Sequence, residues 1–147
     1  MTTNVELIDY AERLHLKDFK GVFMRDELSS LTPLENECGI YNLEDKSKSG
    51  SHWVAWFKKG NSWFHFCSYG SSPSEEFKKY SCNSSQRMSH TYRIQEWDDV
   101  SCGEYCMLFL YLFQFLLFCK RDNENNGNLE SIFTKVVLFL NDLAGNS

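Results

Sequence analysis

The chain has 147 residues, of which 42% are hydrophobic and 16% are aromatic, and it carries a formal net charge of -5 at pH 7. This composition excludes an extended disordered chain, and the length, without a Pro/Gly/Ser-rich linker, predicts one domain over residues 1–147. The acidic balance argues against a nucleic-acid-binding surface, because such surfaces depend on clustered Lys and Arg.

The cysteines and the apolar segments indicate where the protein works. Residues 1–10 predict an amphipathic helix and not a secretory signal, so we expect an intracellular, reducing compartment. The six cysteines are then thiols and not a disulfide framework. The longest apolar run, residues 107–118, contains Gln114 and is shorter than the roughly 20 residues that span a bilayer. We therefore expect a core helix and no membrane.

The first half of the chain predicts a helix and then strands. Apolar residues at helical spacing over residues 7–14 predict a short amphipathic helix, and residues 38–43 predict a strand. Two aromatic, β-prone runs at 52–57 and 62–67 predict a hairpin. Facing residues in an antiparallel hairpin have a constant sum, here about 119 to 121, so His52 should face a residue between Cys67 and Tyr69.

The second half predicts a polar surface and then two helices. Residues 68–89 are polar and predict surface, apart from a short helix at 74–80, and residues 92–95 predict a last short strand. A long helix over 102–119 is apolar nearly all round and should be central. A final helix, with Asn128 as its cap, should end at Gly145.

The densest chemical signal is Cys102 followed by glycine at the start of the buried helix. Unpaired N–H groups and the helix dipole stabilise a thiolate there, although Asp98 and Asp99 oppose it, so a nearby imidazolium is needed. His52 could supply that group, and the amide of Gln95 is the kind of donor that stabilises an oxyanion. Taken singly, each residue also has a structural interpretation: a buried small hydrophobe, a packing histidine and a surface amide.

Taken together, these residues resemble a known family. The segments GSHWVA (50–55) and FCSYG (66–70), and Gln95 seven positions before Cys102-Gly103, resemble the adenovirus protease (adenain) family. FKGVFMRDEL (19–28) and NECGI (36–40) make the resemblance closer to the adenain-like proteases of Maverick/Polinton elements and related viruses.

The resemblance implies an α+β, papain-like or adenain-like cysteine peptidase in which a small central β-sheet packs against a buried helix that carries the nucleophile. The implied activity is cleavage of viral or mobile-element precursor (capsid) proteins after small residues such as glycine, through thiolate attack and an acyl-enzyme. The implied location is the host nucleus, the cytoplasm or the virion. No cofactor is implied, the partner is a polypeptide substrate, and the need for an activating peptide is left open.

The resemblance also implies a role for each site residue. His52 is the general base, Cys102 the nucleophile, Gln95 with the Cys102 backbone N–H the oxyanion hole, and Trp53 a border of the substrate cleft. Cys67 stands where the family has Asp or Glu, so a neutral thiol replaces the carboxylate that would orient the imidazole.

Three alternatives stay open at this point. One is a ubiquitin- or SUMO-directed isopeptidase, and another is a protease-derived binding or structural protein with little turnover. A zinc site at Cys102 and Cys106, one helical turn apart, is the third, but no second Cys/His pair has matching spacing.

Overall fold

The computed structural model describes residues 2–44, 52–96, 100–120 and 129–146. The elements are, in chain order, α1 (Asn4–Arg13), β1 (Phe19–Met24), a 3₁₀ helix (Arg25–Ser30), β2 (Asn36–Asn42), β3 (Trp53–Lys59), β4 (Ser62–Phe66), α2 (Glu75–Tyr80), β5 (Gln86–Ser89), α3 (Cys102–Lys120) and α4 (Leu129–Leu143). The predicted α+β class is confirmed. The proposed cap Asn128 lies outside the described residues.

The five strands form one mixed sheet in the order β1-β2-β3-β4-β5. The two outer pairs, β1 with β2 and β4 with β5, are parallel, and the two inner pairs are antiparallel. Lys59 pairs with Ser62 across the predicted hairpin, within the predicted register. Gly60 makes the turn at a φ of +59°, a conformation that costs glycine little.

Two predictions for residues 68–95 were wrong. No strand forms at 92–95, because the N–H groups of Ile94 and Gln95 both donate to the single carbonyl of Ser68 and so cannot form a ladder. The last strand is β5, a polar segment that the pattern assigned to the surface; it pairs along β4 with Phe64 opposite Met88. The segment is also less superficial than predicted, since α2 buries Phe77 completely.

The sheet is covered on both faces. Ala55 and Phe57 of β3 face one core, which is completed by α1, α3 and α4. Val54 and Trp56 face a second core, completed by α2 and the 3₁₀ helix. A strand buried on both faces needs apolar residues at nearly every position, which explains why β3 lacks a polar alternation.

Helix α3 is the predicted core helix. By length and composition alone it could cross a membrane, since it has 19 residues and a mean hydropathy of 1.6. One side of it packs against β3, α1 and α4 and buries among others Cys102, Cys106 and Phe109, whereas Phe115 and Phe118 toward its C-terminal end are exposed. This packing places the first residue of α3 beside the first residues of β3.

Candidate active site

The nucleophile and the base of the sequence prediction lie at adjoining ends of α3 and β3. Cys102 is the first residue of α3, and its Sγ accepts a hydrogen bond from the backbone N–H of Trp53 at 3.5 Å. Trp53 is the first residue of β3 and directly follows His52. The fold therefore brings residues about 50 positions apart in the sequence into one site.

The imidazole of His52 is held on one edge and one face. Its Nε2 lies 3.2 Å from Cys67 Sγ, and its ring stacks on Tyr69 with centroids 4.0 Å apart and planes 10° from parallel. Its Nδ1 is buried and has no hydrogen-bond partner among the described residues. Since Nε2 faces position 67, Nδ1 is the nitrogen available for the thiol of Cys102. The contacts with Cys67 and Tyr69 confirm the predicted register.

Ser68 is a site residue that the sequence analysis passed over. Its hydroxyl donates to Gln95 Oε1, and its carbonyl accepts from the backbone N–H groups of Ile94 at 2.8 Å and Gln95 at 3.0 Å. Both Ser68 and Gln95 are buried. With Oε1 engaged by Ser68, the amide nitrogen of Gln95 is the donor end of the side chain. The signal was present as the serine of the FCSYG segment.

Gly70 explains how two loops can lie so close together. It has a φ of +74°, and a Cβ there would lie 2.7 Å from the carbonyl oxygens of Thr91 and Tyr92. The side-chain amide of Asn146 holds the same second loop by donating to the Ile94 carbonyl at 2.7 Å. The loop that carries Gln95 is thus held from two sides.

Cys67 is buried beside several hydrogen-bond donors. Burial raises the pKa of its thiol, while the backbone N–H groups of Tyr69, Gly70 and Ser71 and the Ser71 hydroxyl lower it. Burial is the largest of these effects, so the group is a neutral thiol. Converging backbone N–H groups of this kind form a concavity that binds anions, and a carboxylate could use the same donors.

The candidate nucleophile and the candidate base are both uncharged near neutral pH. Burial lowers the pKa of His52 from 6.5 to about 4. Burial also raises the pKa of Cys102, against the opposing effect of the N–H groups of Trp53 and Gly103. The sequence argument expected the helix start to favour a thiolate, and burial outweighs that effect. A thiolate at Cys102 therefore needs a group that accepts its proton, and His52 is the candidate.

The side chain of Trp53 is covered by the N-terminal segment. It is 5% exposed, and its indole N–H donates to the carbonyl of Thr2 at 2.8 Å. Thr2 also contacts the first turn of α3. Its hydroxyl donates to Glu104, and a Cβ added to Gly103 would lie 3.1 Å from the Cβ of Thr2. The role of Trp53 at the substrate cleft stays a prediction.

Several residues of the sequence argument are not part of this geometry. Residues 50–51, which open the His52 segment, and 97–99, which include Asp98 and Asp99, lie outside the described residues. Within the described ranges no group of three His, Cys, Asp or Glu side chains could hold a metal ion. A cavity of about 620 Å³ lies at the other end of β3, where Phe57 and Lys59 line it, and none of the candidate catalytic residues borders it.

Comparison with known proteins gives structural matches alone. No protein-family model matches the sequence, and no curated protein matches it. The crystal structure of the ASFV pS273R protease matches with a TM-score of 0.61 and 16% identity, over 91% of this chain and 65% of that one. A second crystal structure, of the selenomethionine form of that protease, matches with a TM-score of 0.41 and 19% identity, over 74% and 44% of the two chains.

The first match establishes the fold. This chain spans 65% of the length of the ASFV protease, and the matched part includes most of the sheet and helices described above. At 16% identity the likeness concerns architecture and not activity. The chain therefore shares the fold of that protease, and its α+β class is the one that the sequence predicted.

Proposed function

We propose that the protein is a cysteine endopeptidase that cleaves precursor proteins, including capsid proteins, of a virus or a Maverick/Polinton-type element after small residues such as glycine. The observation that carries the proposal is the placement of His52. One ring nitrogen faces Cys67, and the other is left for a thiol that accepts a hydrogen bond from the very next residue.

The proposed reaction has two stages. Cys102 Sγ attacks the scissile carbonyl carbon while its proton passes to His52 Nδ1, and the oxyanion accepts hydrogen bonds from the Gln95 amide and the Cys102 backbone N–H. The C–N bond then breaks, the imidazolium protonates the leaving amine, and a thioester remains. Water attacks the thioester with His52 as base, which releases the acid and restores the thiol.

Because Cys102 and His52 are both uncharged at rest, the proposed mechanism has to create the imidazolium during each stage. A carboxylate beside Nε2 would stabilise the imidazolium that forms in both stages, and Cys67 does not supply that charge at rest. We therefore propose a Cys102–His52 dyad in which Cys67 holds the ring in place through its contact with Nε2. The enzyme would work in the reducing interior of the host cell or in the virion, where Cys102 stays a thiol.

The uncharged Cys102 and His52 also favour one alternative function, that of a binding protein. A buried, uncharged pair without an acid also suits a protease-derived binding protein that keeps the fold and has little turnover. An isopeptidase directed at ubiquitin or SUMO would use the same residues on a different substrate, and a side-by-side assay separates the two.

The test uses a glycine-ending fluorogenic peptide and a glycine-ending electrophilic probe. We expect peptide cleavage and probe labelling of Cys102, both abolished in Cys102→Ala and reduced at least about 10²-fold in His52→Ala. Cys82→Ala is the matched control, because Cys82 is an exposed thiol away from the site. Parallel assays on a precursor protein and on a ubiquitin-like fusion distinguish the endopeptidase from the isopeptidase. Folded protein that neither cleaves nor reacts with the probe would favour the binding protein.

A further inference from the structure

We propose that Ser68 is a positioning residue that aims the amide of Gln95 at the oxyanion. This inference rests on the proposed function, since it assigns a role within the same site. Ser68 touches neither the nucleophile nor the base in any described hydrogen bond. It acts through Gln95, which it holds by side chain and by backbone.

The first step of the argument concerns the side chain of Gln95. A glutamine has three rotatable torsions and an amide that can present either its oxygen or its nitrogen, so an isolated Gln is poorly aimed. The Ser68 hydroxyl donates to Oε1 and thereby assigns the acceptor end to the protein interior. The amide nitrogen is then the donor end of the side chain. An oxyanion donor gains most when its direction is set before the reaction begins.

The second step concerns the backbone. The Ser68 carbonyl accepts from both Ile94 and Gln95, so the residue fixes the main chain of Gln95 as well as its tip. Ser68 lies between Cys67, which contacts His52 Nε2, and Tyr69, which stacks on the same ring. One short loop therefore sets the orientation of the base and of the oxyanion donor together.

The experiment separates positioning from general structural support. Ser68→Ala should lower kcat about 10-fold or more, with KM within about twofold, because the oxyanion forms only in the transition state. The rate at which iodoacetamide alkylates Cys102, followed by mass spectrometry, should not change, because alkylation forms no oxyanion. Ser81→Ala is the matched control: Ser81 is equally buried, and its hydroxyl donates to the Phe77 carbonyl at 2.8 Å, away from the site.

A double-variant cycle completes the test. Ser68→Ala combined with Gln95→Ala should be no slower than Gln95→Ala alone, because Ser68 acts only through Gln95. Losses that multiply, or an equal fall in alkylation rate and kcat for Ser68→Ala, would overturn the inference.

The failure of the proposed function has a different signature. If the folded wild-type protein cleaves no peptide, the denaturant midpoint of the wild type, the two single variants and the double variant is measured instead of kcat. A smaller combined loss than the sum of the single losses then supports the hold of Ser68 on Gln95, and strict additivity overturns it.

Discussion

Replacing Cys67 with Asp tests the electrostatics of the site directly. Cys67 Sγ lies 3.2 Å from His52 Nε2, so an Asp carboxylate at this position would contact the same nitrogen. The backbone N–H groups of Tyr69 and Ser71 and the Ser71 hydroxyl, which already act on the Cys67 thiol, can donate to the carboxylate. These donors offset part of the cost of burying the charge.

The magnitude follows from the separation of the charges. An opposite charge at this range raises the pKa of a histidine by about 1 to 3 units, which would take His52 from about 4 to roughly 5 to 7. Each unit corresponds to about 1.4 kcal/mol of preference for the imidazolium. The imidazolium in turn lowers the pKa of Cys102, and each unit of that shift gives about 10-fold more thiolate below the pKa.

The assay is the pH profile of Cys102 alkylation, measured by mass spectrometry beside kcat/KM. For Cys67→Asp we expect the alkylation midpoint to fall by at least about one pH unit and kcat/KM at pH 7 to rise about 10-fold. Cys67→Asn is the matched control, because it has the shape of Asp without the charge, and its profile should stay at the wild-type position. Cys67→Ala should change activity little if the enzyme works as a dyad. A folded Asp variant with the wild-type profile would refute the contact between position 67 and His52.

The remaining predictions concern the oxyanion donor, the core and acid stability. Gln95→Ala should lower kcat about 10²-fold with little change in KM, and steady-state kinetics showing normal kcat would remove Gln95 from the site. A Cβ on Gly39 would lie 2.4 Å from Trp56, so Gly39→Ala should destabilise by about 1 to 3 kcal/mol in urea unfolding, whereas Gly60→Asn, at an open turn, should be tolerated. Burial lowers the histidine pKa from 6.5 to about 4 in His52, to about 3 in His65 and to about 4 in His90. Below pH 6.5 the unfolded chain therefore binds protons that the folded chain does not. The free energy of unfolding should be highest above pH 6.5 and should fall towards pH 4 by up to about 4 kcal/mol per pH unit for the three histidines together. A free energy of unfolding that does not change between pH 7 and pH 4 would contradict this.

The sequence predicted those parts of the site that local patterns determine. Two aromatic, β-prone runs around Gly60 determine the hairpin, and its register brings His52 beside residues 67–69, where its ring contacts Cys67. A continuous apolar run likewise determines α3, and with it the position of Cys102 at a helix start.

The features that the sequence analysis missed depend on tertiary contacts. β5 is polar and short, and it forms a strand because it pairs with the backbone of β4 at the edge of the sheet. Ser68 lies within the FCSYG segment, but its contact with Gln95, 27 residues later in the chain, could not be read from that segment. The uncharged state of Cys102 and His52 follows from burial, which competes with the helix start and cannot be read from spacing.

The contacts of Thr2 have a consequence for the order of events during synthesis. Its carbonyl pairs with Trp53 and its hydroxyl with Glu104, 51 and 102 positions away. A nascent chain folds from its N-terminus as it is made, and contacts this distant cannot form until the later partner has emerged. The contact between Thr2 and Glu104 therefore forms only after α3 begins, and Cys102 can meet His52 only after all five described strands have been synthesised. Under the proposed function, a growing chain would have no assembled catalytic pair with which to cut itself or its neighbours.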